Sequence, residues 1–194
     1  MPAVLFDAAA HTYTTLDGRR LPSVTAIIKG AGLMDEAWWN DRVRDRGGLA
    51  HQAIALIHED ALDRETLDPV LAPYVAAWDG FARASAATAI LWEQRVADAE
   101  RGYAGTLDVV LEMAGDPAPW VVDLKTGPPQ PWAALQTAAY ARAVKPILLA
   151  PRLKRAVLAL AGDGTWKLTE HTDRQDEKVF LAALEVYTWK QSHS

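Results

Sequence analysis

Apolar positions recur along this chain with two different periods, and the change of period marks out its elements. Over residues 69–88, Leu71, Tyr74, Val75, Trp78 and Phe81 fall at three- and four-residue spacings, which predicts a helix. The middle of the chain then shifts to strand-like runs at 90–97, 104–113 and 120–125, separated by Gly102 and by the Gly/Pro-rich segment 115–119. A helix is expected over 131–144, with Pro131 in its first turn and Lys145-Pro146 past its end. Residues 156–161 and 166–170 read as a hairpin around Gly162, Asp163 and Gly164, and a last helix covers 173–190. Upstream, 11–15 and 23–28 read as a strand and its return about the Asp17-Gly18 turn, and 35–62 as a helix interrupted at Gly47-Gly48. The order predicts one mixed α/β domain over 1–194, with a β element and helices in 1–88 and a core in 89–194.

Strand alternation gives the middle strands a chemical face. Thr106, Asp108, Val110 and Glu112 share one side of the second strand, with Leu107, Val109 and Leu111 on the other. In the third, Val121, Asp123 and Lys125 lie opposite Val122 and Leu124. An acid and a lysine in so apolar a strand are costly to bury unless paired or bound to a metal. If the two strands are antiparallel neighbours, Asp108 and Asp123 converge, and a divalent cation resolves their repulsion. Oxygen ligands suit Mg²⁺ or Mn²⁺. A lysine beside such a cluster orients a water or stabilises charge on phosphorus, a combination that hydrolyses phosphodiesters. By itself an Asp-x-Lys triplet in a strand is usually a surface pair on a solvated face. The ordered set is more telling: Gly105-x-x-Asp108, Asp123-x-Lys125, then Gln136 and Tyr140 one helical turn apart.

Composition narrows the classes. The 194 residues are 50% hydrophobic and 23% charged, an ordered globular balance, and no cysteine is present. Disulfides, thiolate zinc sites, iron–sulfur clusters and cysteine nucleophiles are thereby excluded. No phosphate-binding Gly-x-x-x-x-Gly-Lys-Ser/Thr loop occurs, so the chain carries no helicase motor of that kind. The net charge of −5 leaves no global positive field to hold nucleic acid. Any grip on phosphates must be local, and Arg42, Arg44 and Arg46, just before His51, are the best placed. Trp38, Trp39 and Trp132 are candidates for base stacking as well as for core packing. No run approaches a membrane span and no secretion signal opens the chain, so a soluble cytoplasmic protein without membrane contact is expected.

The ordered motif set resembles the PD-(D/E)XK nuclease superfamily, in its RecB-like, phage-type exonuclease branch. Arg46-Gly-Gly-Leu-Ala-His51 fits the upstream histidine of that branch, Glu93 its preceding glutamate, and His11-x-Tyr13 followed by Pro22-Ser-Val-Thr25 its phage-borne openings. The resemblance implies a restriction-endonuclease-like mixed central sheet flanked by helices, with residues 89–194 as the catalytic core. It implies Lys125, Asp108, Asp123 and Glu93 as catalytic residues, although Glu93 reads equally as a solvated strand residue. His51, Asp108, Asp123 and the carbonyl of Leu124 become metal ligands for Mg²⁺ or Mn²⁺. Gln136 and Tyr140, with the three arginines, become DNA contacts. The activity implied is a metal-dependent exonuclease on double- or single-stranded DNA ends, in recombination or DNA processing. A recombination or helicase partner and a homo-oligomer are both compatible with it. An endonuclease on the same fold, a non-catalytic DNA-binding module and an RNA substrate stay open as alternatives.

Overall fold

The computed structural model describes residues 4–8, 10–34 and 41–193, with side chains from residue 46 onward in the last segment. Three strands, β1 (Val4–Asp7), β2 (Thr12–Thr15) and β3 (Arg20–Leu21), form a small antiparallel sheet. Helices α1 (Val24–Gly30), α2 (Asp41–His58) and α3 (Ala72–Ser85) follow. A five-stranded sheet then runs in the order β4 (Thr88–Asp98), β5 (Tyr103–Met113), β6 (Asp116–Lys125), β7 (Lys154–Leu160), β8 (Trp166–Glu170). Helix α4 (Ala133–Leu148) crosses between β6 and β7, which are parallel, and α5 (Gln175–Ser192) ends the chain. The other pairs in this sheet are antiparallel.

The sheet is covered on both faces, which is why its central strand is apolar on both. Val121 of β6 packs with Ile27, Leu135, Val144 and Phe180 from α1, α4 and α5. Val122 and Leu124 pack with Ile54, Trp78 and Phe81 from α2 and α3. A near-continuous apolar run is the sequence signature of a strand buried in this way. The small sheet closes against β4 and β5 through Tyr13, Leu21, Ala97 and Ala104. Among the described residues no helix is long and apolar enough to cross a membrane.

Three sequence expectations are corrected. The segment 23–28 is not a return strand: the return is Arg20–Leu21, and Val24 onward is helix. The Ser23 hydroxyl accepts from the Ala26 N–H at 3.1 Å, and this N-cap overrides the β-branched composition of the segment. Helix α2 runs unbroken through Gly47-Gly48. A Cβ at position 47 would lie 3.4 Å from Thr126 Oγ1, so the glycine lets α2 pass close to the end of β6. Helix α4 continues past Lys145-Pro146 to Leu148 and ends where Leu149 turns left-handed at φ 51°. Proline in that last turn removes one donor, which a helix end tolerates far better than its middle. The expected start of α2 at 35, with Trp38 and Trp39, lies outside the described residues.

Candidate metal centre

The site forms where two strands part. The β5–β6 ladder pairs Val110 with Val121 and Val109 with Val122, and continued in register it would set Leu107 opposite Leu124. That pairing is not made. Instead the Leu124 N–H donates to Asp108 Oδ2 at 2.7 Å, and the Leu124 carbonyl lies 3.1 Å from His51 Nε2. Two backbone groups that a ladder would have used are therefore satisfied by the candidate ligands themselves. The carbonyl can only accept, so the His51 proton sits on Nε2. Nδ1 then presents its lone pair toward Asp108 Oδ1, 3.8 Å away. A backbone carbonyl that fixes the tautomer in this way is the usual support of a metal-binding histidine.

Strand β4 supplies the third group. Pairing of Trp92 with Val109 and Gln94 with Leu107 brackets Glu93 and Asp108 on adjacent strands. Glu93 adopts φ 44°, a left-handed conformation costing of order 1 kcal/mol or more for a side-chain-bearing residue. Asp108 marks a change of phase in β5: Leu107 and Val110 both belong to the α4–α5 side, Val109 and Leu111 to the α2–α3 side. The strict alternation read from the sequence, with Leu107 on the face of Val109 and Leu111, is thus corrected at this point. Such irregularities re-aim side chains. Among the described residues, His51, Glu93 and Asp108 are the one group of ligating side chains whose donor atoms all lie within 4.8 Å of each other. Desolvation and then the charge of Asp108 push the Glu93 carboxyl up to about 7, against the opposing pull of His51.

Asp123 stands apart from this triad. It is 1% exposed, and neither carboxylate oxygen accepts a hydrogen bond. Lys125 Nζ approaches Oδ2 to 2.6 Å, an ion pair off the hydrogen-bonding direction. Burial pushes the Asp123 carboxyl upward, Lys125 opposes that, and Asp108 adds to it. Burial pulls Lys125 down, but Asp123 and Asp108 outweigh it and hold the ammonium above the ordinary lysine value. Gln136 Oε1 accepts from Lys125 Nζ at 3.3 Å, and the Trp132 ring lies 5.3 Å under the same ammonium. Trp132 therefore packs against a catalytic candidate.

The His–Glu–Asp triad, beside the buried and lysine-paired Asp123, fits a divalent cation. The donor set is one imidazole nitrogen and carboxylate oxygens, suited to Mn²⁺ and compatible with Mg²⁺. His51, through Nδ1, Glu93 and Asp108 would hold the ion, while the Leu124 carbonyl orients the imidazole from its Nε2 side.

Gln136 and Tyr140, expected on a DNA groove, are nearly buried. They form part of the wall of a cavity of about 500 Å³ that Glu93 also lines. A Cβ on Gly105 would stand 2.7 Å from Tyr140 Cε1, so the glycine of the motif is what admits the tyrosine ring against β5. The Arg46 guanidinium lies 5.6 Å over the Tyr74 ring, and its Nε is buried without a hydrogen bond. The side chains of Arg42 and Arg44 lie outside the described residues. Compared with protein-family models and with characterised proteins, the chain matches none. A larger cavity, about 970 Å³, opens toward the C-terminal end of α4 and touches none of the triad. Its Arg142 is held by Asp98 and Glu177, each at 2.7 Å.

Sequence reasoning missed two features. One is the clamping role of the Leu124 N–H, which no side-chain pattern encodes. The other is the wall that the small sheet builds beside Glu93, where Phe6, His11 and Tyr13 gather. The three rings within residues 6–13, about the connection from β1 to β2, were its available signal.

Proposed function

We propose that this protein is a metal-dependent nuclease of the PD-(D/E)XK kind, with a restriction-endonuclease-like core, that hydrolyses phosphodiester bonds at DNA ends. The observation that carries the reading is the convergence of His51, Glu93 and Asp108 beside a buried Asp123–Lys125 pair where β5 and β6 part. A bound Mg²⁺ or Mn²⁺ would supply a Lewis acid for a phosphoryl oxygen and lower the pKa of a water.

The protein's own groups have separable tasks. His51 and Asp108 are locked by the Leu124 backbone, so their donor atoms are set before any ion arrives. Lys125, kept protonated by Asp123 and steadied by Gln136, places a fixed positive charge where negative charge grows on the phosphoryl group. Glu93, raised by desolvation and by Asp108, would bind an ion as its carboxylate. The net charge of −5 means that phosphate contacts must be few and local.

The test uses purified protein with Mn²⁺ on end-labelled linear duplex, single-stranded and closed circular DNA. Loss of nucleotides from linear ends, sparing of circles and abolition by EDTA are expected. Cutting of circles would make the protein an endonuclease. Full activity in Asp108→Ala or Lys125→Ala protein would overturn the assignment of the site.

A further inference from the structure

We propose that the cavity between the small sheet and α4 receives one unpaired nucleotide, with its base on the aromatic rim and its phosphate toward the His51–Glu93–Asp108 triad. This rests on the nuclease reading above and extends it to the form of substrate.

The cavity holds about 500 Å³, within the roughly 300–1,000 Å³ of small-ligand pockets. Its lining combines two chemistries. One is Glu93, a member of the triad, with Gln136, the partner of Lys125. The other is aromatic: exposed His11 meets half-buried Phe6 edge-on at 5.2 Å, and the buried Tyr13, bonded through its hydroxyl to Thr106, backs Phe6 at 4.7 Å. Arg95 lies 5.4 Å over the Phe6 ring. His11 is exposed and left-handed, at φ 47°, so the turn holds an aromatic side chain at the rim in a conformation that histidine seldom adopts.

Planar rings with a guanidinium, and Glu93 of the cation-binding triad in the same lining, match a nucleotide's two halves. Bases stack on such platforms without sequence preference, and arginine adds to the attraction. A stacked, paired base inside a duplex cannot enter a recess of this kind without leaving the helix, so an unpaired or frayed strand end is the form that fits.

The proposal is tested by binding rather than by cleavage. Titration of dAMP, deoxyribose 5-phosphate and inorganic phosphate into the protein with Mn²⁺, followed by calorimetry or ligand-observed NMR, separates base from phosphate. The base should tighten binding roughly five- to 150-fold over deoxyribose 5-phosphate, the range that one base–aromatic stack provides. His11→Ala, at an exposed position, and Phe6→Leu, which keeps an apolar side chain against Tyr13, should erase much of that gain and leave phosphate binding unchanged. Equal affinity for dAMP and deoxyribose 5-phosphate, or an undiminished base effect in both variants, overturns the proposal. If DNA ends are cut but no base effect exists, the pocket proposal fails alone. If the base effect is present but no nucleic acid is cut, the pocket stands and the nuclease reading fails.

Discussion

Lys125 holds the positive charge paired with the buried carboxylate of Asp123, and replacing it with methionine exposes what that carboxylate costs. Asp123 has a 2% exposed side chain, no hydrogen bond to either oxygen, and Lys125 Nζ at 2.6 Å. Removing one partner of a buried pair typically costs about 3–5 kcal/mol, because the other charge is left uncompensated. For a chain of this length each kcal/mol moves the midpoint by roughly 2–4 °C, so Lys125→Met should melt about 6–20 °C lower at pH 8. The sign of the pH effect follows from the direction of the shift. Burial already raises Asp123 above its ordinary 3.8, and loss of Lys125, which lowers it, raises it further. The deficit is therefore absent below the ordinary value and grows as pH rises through the raised one, so it is smaller at pH 5 than at pH 8. The double variant Asp123→Asn/Lys125→Met removes both charges and should recover most of the loss, giving a coupling of several kcal/mol in the cycle. Calorimetry or urea titration at the two pH values reads all four proteins. A Lys125→Met loss below about 1 kcal/mol, or a double variant as unstable as the two singles summed, would refute the claim that the pair is buried and mutually dependent. Catalysis plays no part in this measurement, so it tests the site's construction independently of what the site does.

Two further outcomes follow from packing and titration. Gly105→Ala drives a methyl into the Tyr140 ring, where the Cβ would be 2.7 Å from Cε1; overpacking of this kind costs about 1–3 kcal/mol and should lower the urea midpoint at constant slope. His171 is lowered from its ordinary 6.5 by burial first and by Arg155 second, with Asp176 opposing, and its Nδ1 lies 2.9 Å from Thr137 Oγ1. Its contribution is whole above about pH 6.5 and is lost as pH falls through the lower folded value. Between pH 7.5 and 5.5 the protein should thus lose more stability than a His171→Gln variant, and parallel slopes for the two would disprove it.

The elements that were legible in the sequence are those whose apolar period is set by a single neighbouring layer. The pattern of Tyr74, Trp78 and Phe81 identified α3 because all three face the same core. The hairpin of β7 and β8 was legible from its glycine turn. The segments misread were governed by one contact each, which a window of hydrophobicity does not register. The Ser23 hydroxyl made a helix of a β-rich stretch, and the close approach of α2 to Thr126 explained Gly47 inside a helix. Gly105 and Tyr140 were noted as separate motif letters thirty-five positions apart, and they are one steric contact.

The candidate site was legible as a list of residue types but not as an arrangement, and the reason is physical. Alternation assumes an unbroken ladder, and the site exists because the ladder breaks. With regular pairing through Leu107 and Leu124, the Leu124 N–H and carbonyl would be taken up by β5, and neither Asp108 nor His51 would have a backbone group to anchor it. With Glu93 in ordinary strand geometry, its carboxylate would follow the alternation of β4 and lose the aim that its left-handed backbone now gives it. The Leu124 groups released from the ladder are satisfied by Asp108 and His51, so the unfavourable elements that remain are the left-handed backbone of Glu93 and the gathering of Glu93, Asp108 and Asp123 around one point. A divalent cation held by the triad would offset that repulsion, which is why the arrangement makes sense as a binding site and not as a folding element.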